Sequence, residues 1–221
     1  MYNLVLKDLI IQKKSVKNFS VSLIFSMVFI QFFGASSIYI ITPVFFAISF
    51  IANGCGFGEK NDVDRMIGSF PVSRKEIVFS KYLSALILFI IAIVITVVFA
   101  TITKLSGLSN INRFMNLQDI MIAFVFTVFY NAIYLPVYLW LGNLKSQLIN
   151  TILNFCIAIC LIVTVVIVSI IDNGTAKDSI MNFVSMPNFQ LFVFISCICF
   201  SIILSSISIG ISLKIYLSKD L

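Results

Sequence analysis

The residue types that carry most protein chemistry are scarce in this chain. Of its 221 residues none is histidine, and the charged ones are 15 Lys and Arg with 9 Asp and Glu. The five cysteines, Cys55, Cys156, Cys160, Cys197 and Cys199, are an odd number set in or beside apolar runs. Cys156 and Cys160 fall on one helix face, but two thiols without histidine make a poor zinc site, so buried, inert thiols are expected. Gly54-Cys-Gly-Phe-Gly58 imitates a phosphate-gripping loop and lacks the Lys-Ser/Thr ending that such a loop needs. Asp62 and Asp64 are two apart, without the further acids or metal ligands that a membrane enzyme of the phosphatidyltransferase or protease type requires. That enzyme reading is therefore an alternative, as is a membrane binding or regulatory component that transports nothing.

What remains is polar and uncharged. Thr127, Asn131, Tyr134 and Tyr138 follow i, i+4, i+7 and i+11, and Asn150 and Asn154 share a helix face. Ser201, Ser205, Ser208 and Ser212 line one side of another helix, where small residues let helices approach closely. Asn131 is costly to bury unpaired, which makes it the leading candidate for a pathway or dimer-interface residue. Thr127, Tyr134, Asn150 and Asn154 stand with it.

The elements that position these residues are transmembrane helices. The chain is 60% hydrophobic and 11% charged, against roughly 25% charged in soluble domains, so lipid is its solvent. A helical span needs about 20 apolar residues. The stretch between Lys17 and Glu59 holds 41 uncharged residues, enough for two spans broken near Gly34-Ala35-Ser36-Ser37. Lys81 to Lys104 encloses 22, Asp119 to Lys145 encloses 25, and Lys145 to Asp172 encloses 26, one span each. Asp178 to Lys214 encloses 35, with Pro187 and Asn188 at the entry to a sixth span. Pro43 and Pro136 are expected to kink their helices. The outer segment from Asp172 to Asn188 has room for a short re-entrant piece around Ile180 to Val184.

Twelve of the 15 basic residues fall on one side of that arrangement, leaving Lys104, Arg113 and Lys177 on the other. The positive-inside rule places the twelve, and both termini, in the cytoplasm. The same rule explains the net charge of +6, so nucleic acid is not an expected partner. The basic start, apolar run and small residues at Ala35 to Ser37 also loosely resemble a signal peptide, a reading that nothing else in the sequence requires. Leu4, Leu6, Leu9, Ile10 and Val16 mix with Lys7, Asp8, Lys13 and Lys14, as in an amphipathic helix lying on the inner leaflet.

The segment between spans two and three carries nine charged residues. Within it Val63, Met66, Ile67 and Phe70 stand at i, i+3, i+4 and i+7, an apolar stripe on a short helix. Asn61 or Asp62 can cap its start, and Pro71 ends it. Ser73 and Glu76 form an S-x-x-E capping box that opens the next helix. An apolar face offered to the cytosol suits a helix laid in a partner's groove.

The run Asp64-Arg-Met-Ile-Gly-Ser-Phe-Pro-Val-Ser-Arg-Lys-Glu-Ile-Val-Phe-Ser-Lys-Tyr82 resembles the "sLPvsRkeiVlaKy" signature of ABC type-2 transporter permeases, the membrane subunits of bacterial ATP-binding cassette exporters. Their branch includes exporters of phenol-soluble modulins and similar peptides. Phe70 stands where leucine is usual. The resemblance implies an all-α integral membrane fold: six transmembrane helices, an N-terminal interfacial helix and a cytoplasmic coupling helix between helices two and three. Residues 1–17 would be the interfacial start, 18–58 the first two spans, 59–81 the coupling loop, and 82–221 the remaining spans with a short cytoplasmic C-terminus. Asp62, Val63, Asp64, Arg65, Met66, Ile67, Phe70, Pro71, Ser73, Arg74, Lys75 and Glu76 would dock on cytoplasmic ABC ATPase subunits. ATP and magnesium would bind those ATPases, with no cofactor on this chain. A second permease subunit, identical or paralogous, would complete the path in the bacterial cell membrane. The cargo would be hydrophobic or amphipathic, a peptide or a drug-like molecule.

Overall fold

The computed structural model describes residues 2–12, 38–60, 73–105, 115–173 and 187–218. These form six helices: α1 (Tyr2–Gln12), α2 (Ile38–Lys60), α3 (Arg74–Leu105), α4 (Leu117–Leu141), α5 (Asn143–Asn173) and α6 (Pro187–Leu217). There is no strand among the described residues. The first expected span and the apolar stripe at Val63, Met66, Ile67 and Phe70 lie outside them. So do the suggested re-entrant piece around residues 180–184 and Asp62, Asp64, Arg65 and Pro71.

Among the described residues four helices are long and apolar enough to cross a bilayer, over Tyr39–Gly56, Arg74–Ile102, Leu117–Leu141 and Phe194–Leu217. At 1.5 Å per residue, the 32 residues of α3 extend about 48 Å, well beyond a hydrocarbon core of about 30 Å. Its charged first turns therefore continue past the apolar layer. The expected capping box is present there: Ser73 N–H donates to Glu76 Oε2 at 3.1 Å, and Glu76 N–H to Ser73 Oγ at 3.3 Å. At the start of α4 the Asn116 N–H donates to Asp119 Oδ2 at 3.0 Å. Gly142 ends α4 with φ of 73° and ψ of −176°, a backbone region open in practice only to glycine. A single residue thus turns the chain from α4 into α5. Pro43 and Pro136 sit inside α2 and α4, which continue through them.

Helix α4 is the centre of the bundle, packing on α2, α3, α5 and most extensively on α6. Helix α2 lies against α3, and α1 rests on both. The core joins Val44, Phe46, Ile48 and Ile51 of α2, Val78, Leu88 and Ala92 of α3, and Tyr130, Tyr134 and Leu135 of α4. The outward faces are apolar as well: Ile90, Val94 and Val98 of α3 and Ile203, Ile207 and Ile211 of α6 are exposed. In water such a surface would aggregate; in a bilayer it is the surface that lipid covers. Cys55 is buried as expected, whereas Cys156, Cys160 and Cys199 lie on the exposed faces of α5 and α6. Cys197 is half-buried. Thiols in lipid need no protein cover, and periodicity alone does not separate the two environments.

Candidate functional site

Polar side chains in an apolar bundle must find partners, because each unpaired one forfeits its hydration. Many do so locally. Thr96 and Thr127 donate to the carbonyls of Ala92 and Ala123 on their own helices, both at 2.8 Å. Others fall into three sites.

The first is an ion pair at the basic end. Lys81 Nζ stands 3.2 Å from Asp8 Oδ1, and the two side chains are 8% and 5% exposed. Ser84 donates to the other carboxylate oxygen at 3.1 Å, and Lys7 Nζ is 3.5 Å from Oδ1. Arg74 Nη1 donates to the Leu217 carbonyl at the end of α6, 3.0 Å away. Three elements far apart in sequence, α1, the start of α3 and the end of α6, are thereby tied at one end. The grouping of Lys7, Arg74, Lys75, Lys81 and Lys214 on one side follows from it. The sequence places Asp8 and Lys81 on opposite sides of two spans and gives no sign that they pair.

The second is an aromatic ladder on α4. Tyr130, Tyr134 and Tyr138 stack with ring centroids 5.1 and 6.3 Å apart. Tyr138 Oη donates to the Cys55 carbonyl of α2 at 3.1 Å. Tyr130 Oη donates to Asn150 Oδ1 of α5 at 2.7 Å, and Asn154 Nδ2 donates to the same oxygen at 3.2 Å. The expected grouping of Asn150 with Asn154 holds, but they meet Tyr130, which sequence reasoning passed over. The missed signal was its spacing, four residues before Tyr134 and eight before Tyr138. Tyr134 is fully buried within the ladder, and Thr127 points back to its own helix.

The third site lies on the opposite flank of α4. Tyr82 of α3 places its hydroxyl 2.6 Å from Ser208 Oγ and 2.8 Å from Ser212 Oγ of α6. Ser208 in turn donates to the Ala132 carbonyl of α4 at 3.0 Å. Two of the four aligned serines are therefore cross-helix ties. The other two, Ser201 and Ser205, donate to carbonyls of their own helix. They line a cleft of about 240 Å³ between α3, α4 and α6 that Asn131 also borders. Asn131 is 8% exposed, and its Oδ1 is buried without a hydrogen-bond partner. An acceptor in that state costs about 1–3 kcal/mol. The five expected pathway residues thus divide between two flanks of α4: Asn131 borders the cleft, Tyr134, Asn150 and Asn154 belong to the ladder, and Thr127 is satisfied within its helix.

Of the expected docking residues within the described chain, Ser73, Arg74 and Lys75 are exposed and Glu76 is half-buried. All four sit at the first turn of α3, held by the cap and by the Arg74 contact with α6.

Long apolar helices and lipid-compatible outer faces define a multi-pass α-helical membrane protein. The model of the ABC-2 family transporter proteins matches residues 3–217, and the chain belongs to that family. Membership makes it a membrane permease subunit of an ABC transporter, working with ABC ATPase subunits. No curated protein matches the chain, and no solved structure does.

Proposed function

We propose that this chain is the membrane half of a bacterial ABC exporter that moves a hydrophobic or amphipathic substrate, a peptide or a drug-like molecule, out of the cell. Two such permeases, identical or paralogous, form the path through six spans each, with both termini in the cytoplasm. The loop between α2 and α3 seats its apolar stripe in a separate ATPase subunit, which binds ATP and magnesium. Closure of the two ATPases then tilts the permease halves against one another.

The observation that carries this reading is the anchoring of α3 directly after the loop. Helix α2 runs to Lys60, and the described chain continues at Ser73. From there Ser73–Glu76, Arg74–Leu217 and Lys81–Asp8 fix α3 to its own cap, to α6 and to α1. A push on the loop is transmitted to three helices at once instead of being absorbed by a hinge. Among the described residues no Asp, Glu, Lys or Arg lines the Asn131 cleft, which suits an uncharged or amphipathic cargo. The test is co-purification of the chain with the ABC ATPases of its own cell. The Met66→Asp, Ile67→Asp double variant should insert normally and lose the ATPase. Equal recovery with wild type and variant would remove the loop from the mechanism.

A further inference from the structure

The cations at the basic end of the bundle fall into two groups. Three are engaged by the protein: Lys81 by Asp8, Lys7 by the same carboxylate, and Arg74 by the Leu217 carbonyl. Three others, Lys75 of α3, Lys145 of α5 and Lys214 of α6, are exposed, and among the described residues no acceptor meets them. All three stand at one end. Arg74 ties the start of α3 to the end of α6. Tyr138, in the last turn of α4, donates to the Cys55 carbonyl, and Cys55 borders the same void as Lys81. The corner from α4 into α5 therefore lies at that end too.

The placement of these three around their helices is the same. Phe79 and Leu86 follow Lys75 at i+4 and i+11, and Leu148 and Ile152 follow Lys145 at i+3 and i+7. Ile211 and Ile207 precede Lys214 at i−3 and i−7. Such spacings keep to one helix face. All six apolar residues are exposed, from 42% at Phe79 to 69% at Leu148. Each lysine thus heads the face of its helix that lipid covers, one turn beyond the first apolar residue. A lysine so placed lays its four-carbon stem along the apolar face and holds its ammonium at headgroup level. Retention of basic residues on one side of a membrane asks only for the right end of a helix. It does not ask for the lipid-facing side on three separate helices.

We propose that Lys75, Lys145 and Lys214 are three headgroup sites for anionic phospholipid. Each holds one phosphate of the leaflet at the basic end, while the acyl chains cover the apolar residues beyond it. An anionic lipid is favoured over a zwitterionic one because its headgroup brings no ammonium of its own to compete with the lysine. The preference should be about fivefold per site, the equivalent of the roughly 1 kcal/mol that one basic side chain gains at an anionic surface. The proposal goes beyond the exporter reading and needs neither ATPase nor cargo.

The chain has one tryptophan, so each site can be read separately. In a Trp140→Phe background a single reporter is introduced by Phe79→Trp, Leu148→Trp or Ile211→Trp, one turn from Lys75, Lys145 or Lys214. The full-length chain is reconstituted in bilayers of phosphatidylcholine and phosphatidylglycerol, one of the two carrying bromines near the top of its acyl chains. Quenching of the tryptophan by each brominated lipid gives their relative affinity at that place. Phosphatidylglycerol should be preferred about fivefold at all three reporters. Lys75→Gln should abolish the preference read beside it and leave the other two sites unchanged, and Lys145→Gln and Lys214→Gln should act as locally. In about 1 M salt, where the screening length is about 3 Å, the preference should fall toward equality. Dissolved glycerol phosphate should not compete, because it has no chain to lie on the apolar face. Equal quenching by the two lipids at low salt would overturn the proposal. So would a preference that survives all three glutamine variants, since it would then belong to the end as a whole, or one that glycerol phosphate removes. A reporter that neither lipid quenches would mean that protein, a second copy of the chain, covers that helix, and would overturn the site there.

Discussion

Replacing Asp8 by alanine removes the carboxylate that faces Lys81 in a buried ion pair. The charges stand 3.2 Å apart, which corresponds to about 5 kcal/mol of attraction at an effective dielectric constant of about 20. Desolvation cancels much of that when the pair forms. It is not recovered when only one partner is lost, so one-sided removal from a buried pair costs about 3–5 kcal/mol. The joint has a built-in reporter. Asp8, Lys81 and Cys55 border the same void of about 20 Å³, the size of a single water, and α1 rests on α2 and α3, which supply most of its lining. With the other four cysteines changed to alanine, the maleimide reaction of Cys55 in nanodiscs reads how often α1 lets go. Asp8→Ala should speed that reaction by about two to three and a half decades, at 1.4 kcal/mol per decade. The paired change Asp8→Leu, Lys81→Met removes both charges and should return the rate to within about tenfold of the parent. Rates that stay within a few-fold of the parent in the single variant would refute the reasoning. So would a double variant as reactive as the single one, because the pair would then not be what holds α1 down.

Three further outcomes follow from the helix ends and the ladder. Gly142→Ala forces a side chain into a glycine-only conformation and should lower stability by about 1–3 kcal/mol, seen as a drop in thermal midpoint in detergent with insertion unchanged. Tyr130→Phe withdraws the donor from Asn150 and should destabilise by about 1–3 kcal/mol. Pairing it with Asn150→Leu should recover part of the loss in a double-mutant cycle, and simple additivity would argue against the contact. Ser73→Ala should cost about 1 kcal/mol at the start of α3 and speed amide exchange at Glu76 and Ile77, with residues near Ala92 unaffected.

The sequence was legible where structure is local or set by solvent. Charge-free runs marked α3, α4 and α5, and the Ser73–Glu76 box marked the start of α3 to the residue, because a cap is fixed within four positions. Pairings across helices were not legible. Lys81 reads from sequence as a boundary cation snorkelling to the interface, and Asp8 as one polar position on a surface helix. Only the docking of α1 onto α3 makes them an ion pair 73 positions apart. The faces of α4 were hidden for a different reason. Apolar residues surround that helix, as they must when some sides meet lipid and others meet protein, so no amphipathic stripe tells which side Asn131 or Tyr130 takes. Spacing put Thr127, Asn131 and Tyr134 on one line, and packing then divided that line between the ladder and the cleft. The serines of α6 show the same limit: small residues announce close approach, but not that Ser208 and Ser212 meet a tyrosine while Ser201 and Ser205 meet open space.

The central claim, that this permease is driven through the loop between α2 and α3, is tested most directly by a photoreactive amino acid placed at Ile67 in living cells. The account predicts an adduct, identified by peptide sequencing, with an ABC ATPase that carries its own phosphate-binding loop. The same label at Val97, on the outward face of α3, should give none. An adduct at Ile67 only with lipid or with another part of this chain would contradict the account, because the apolar stripe would then be packing and not a drive point.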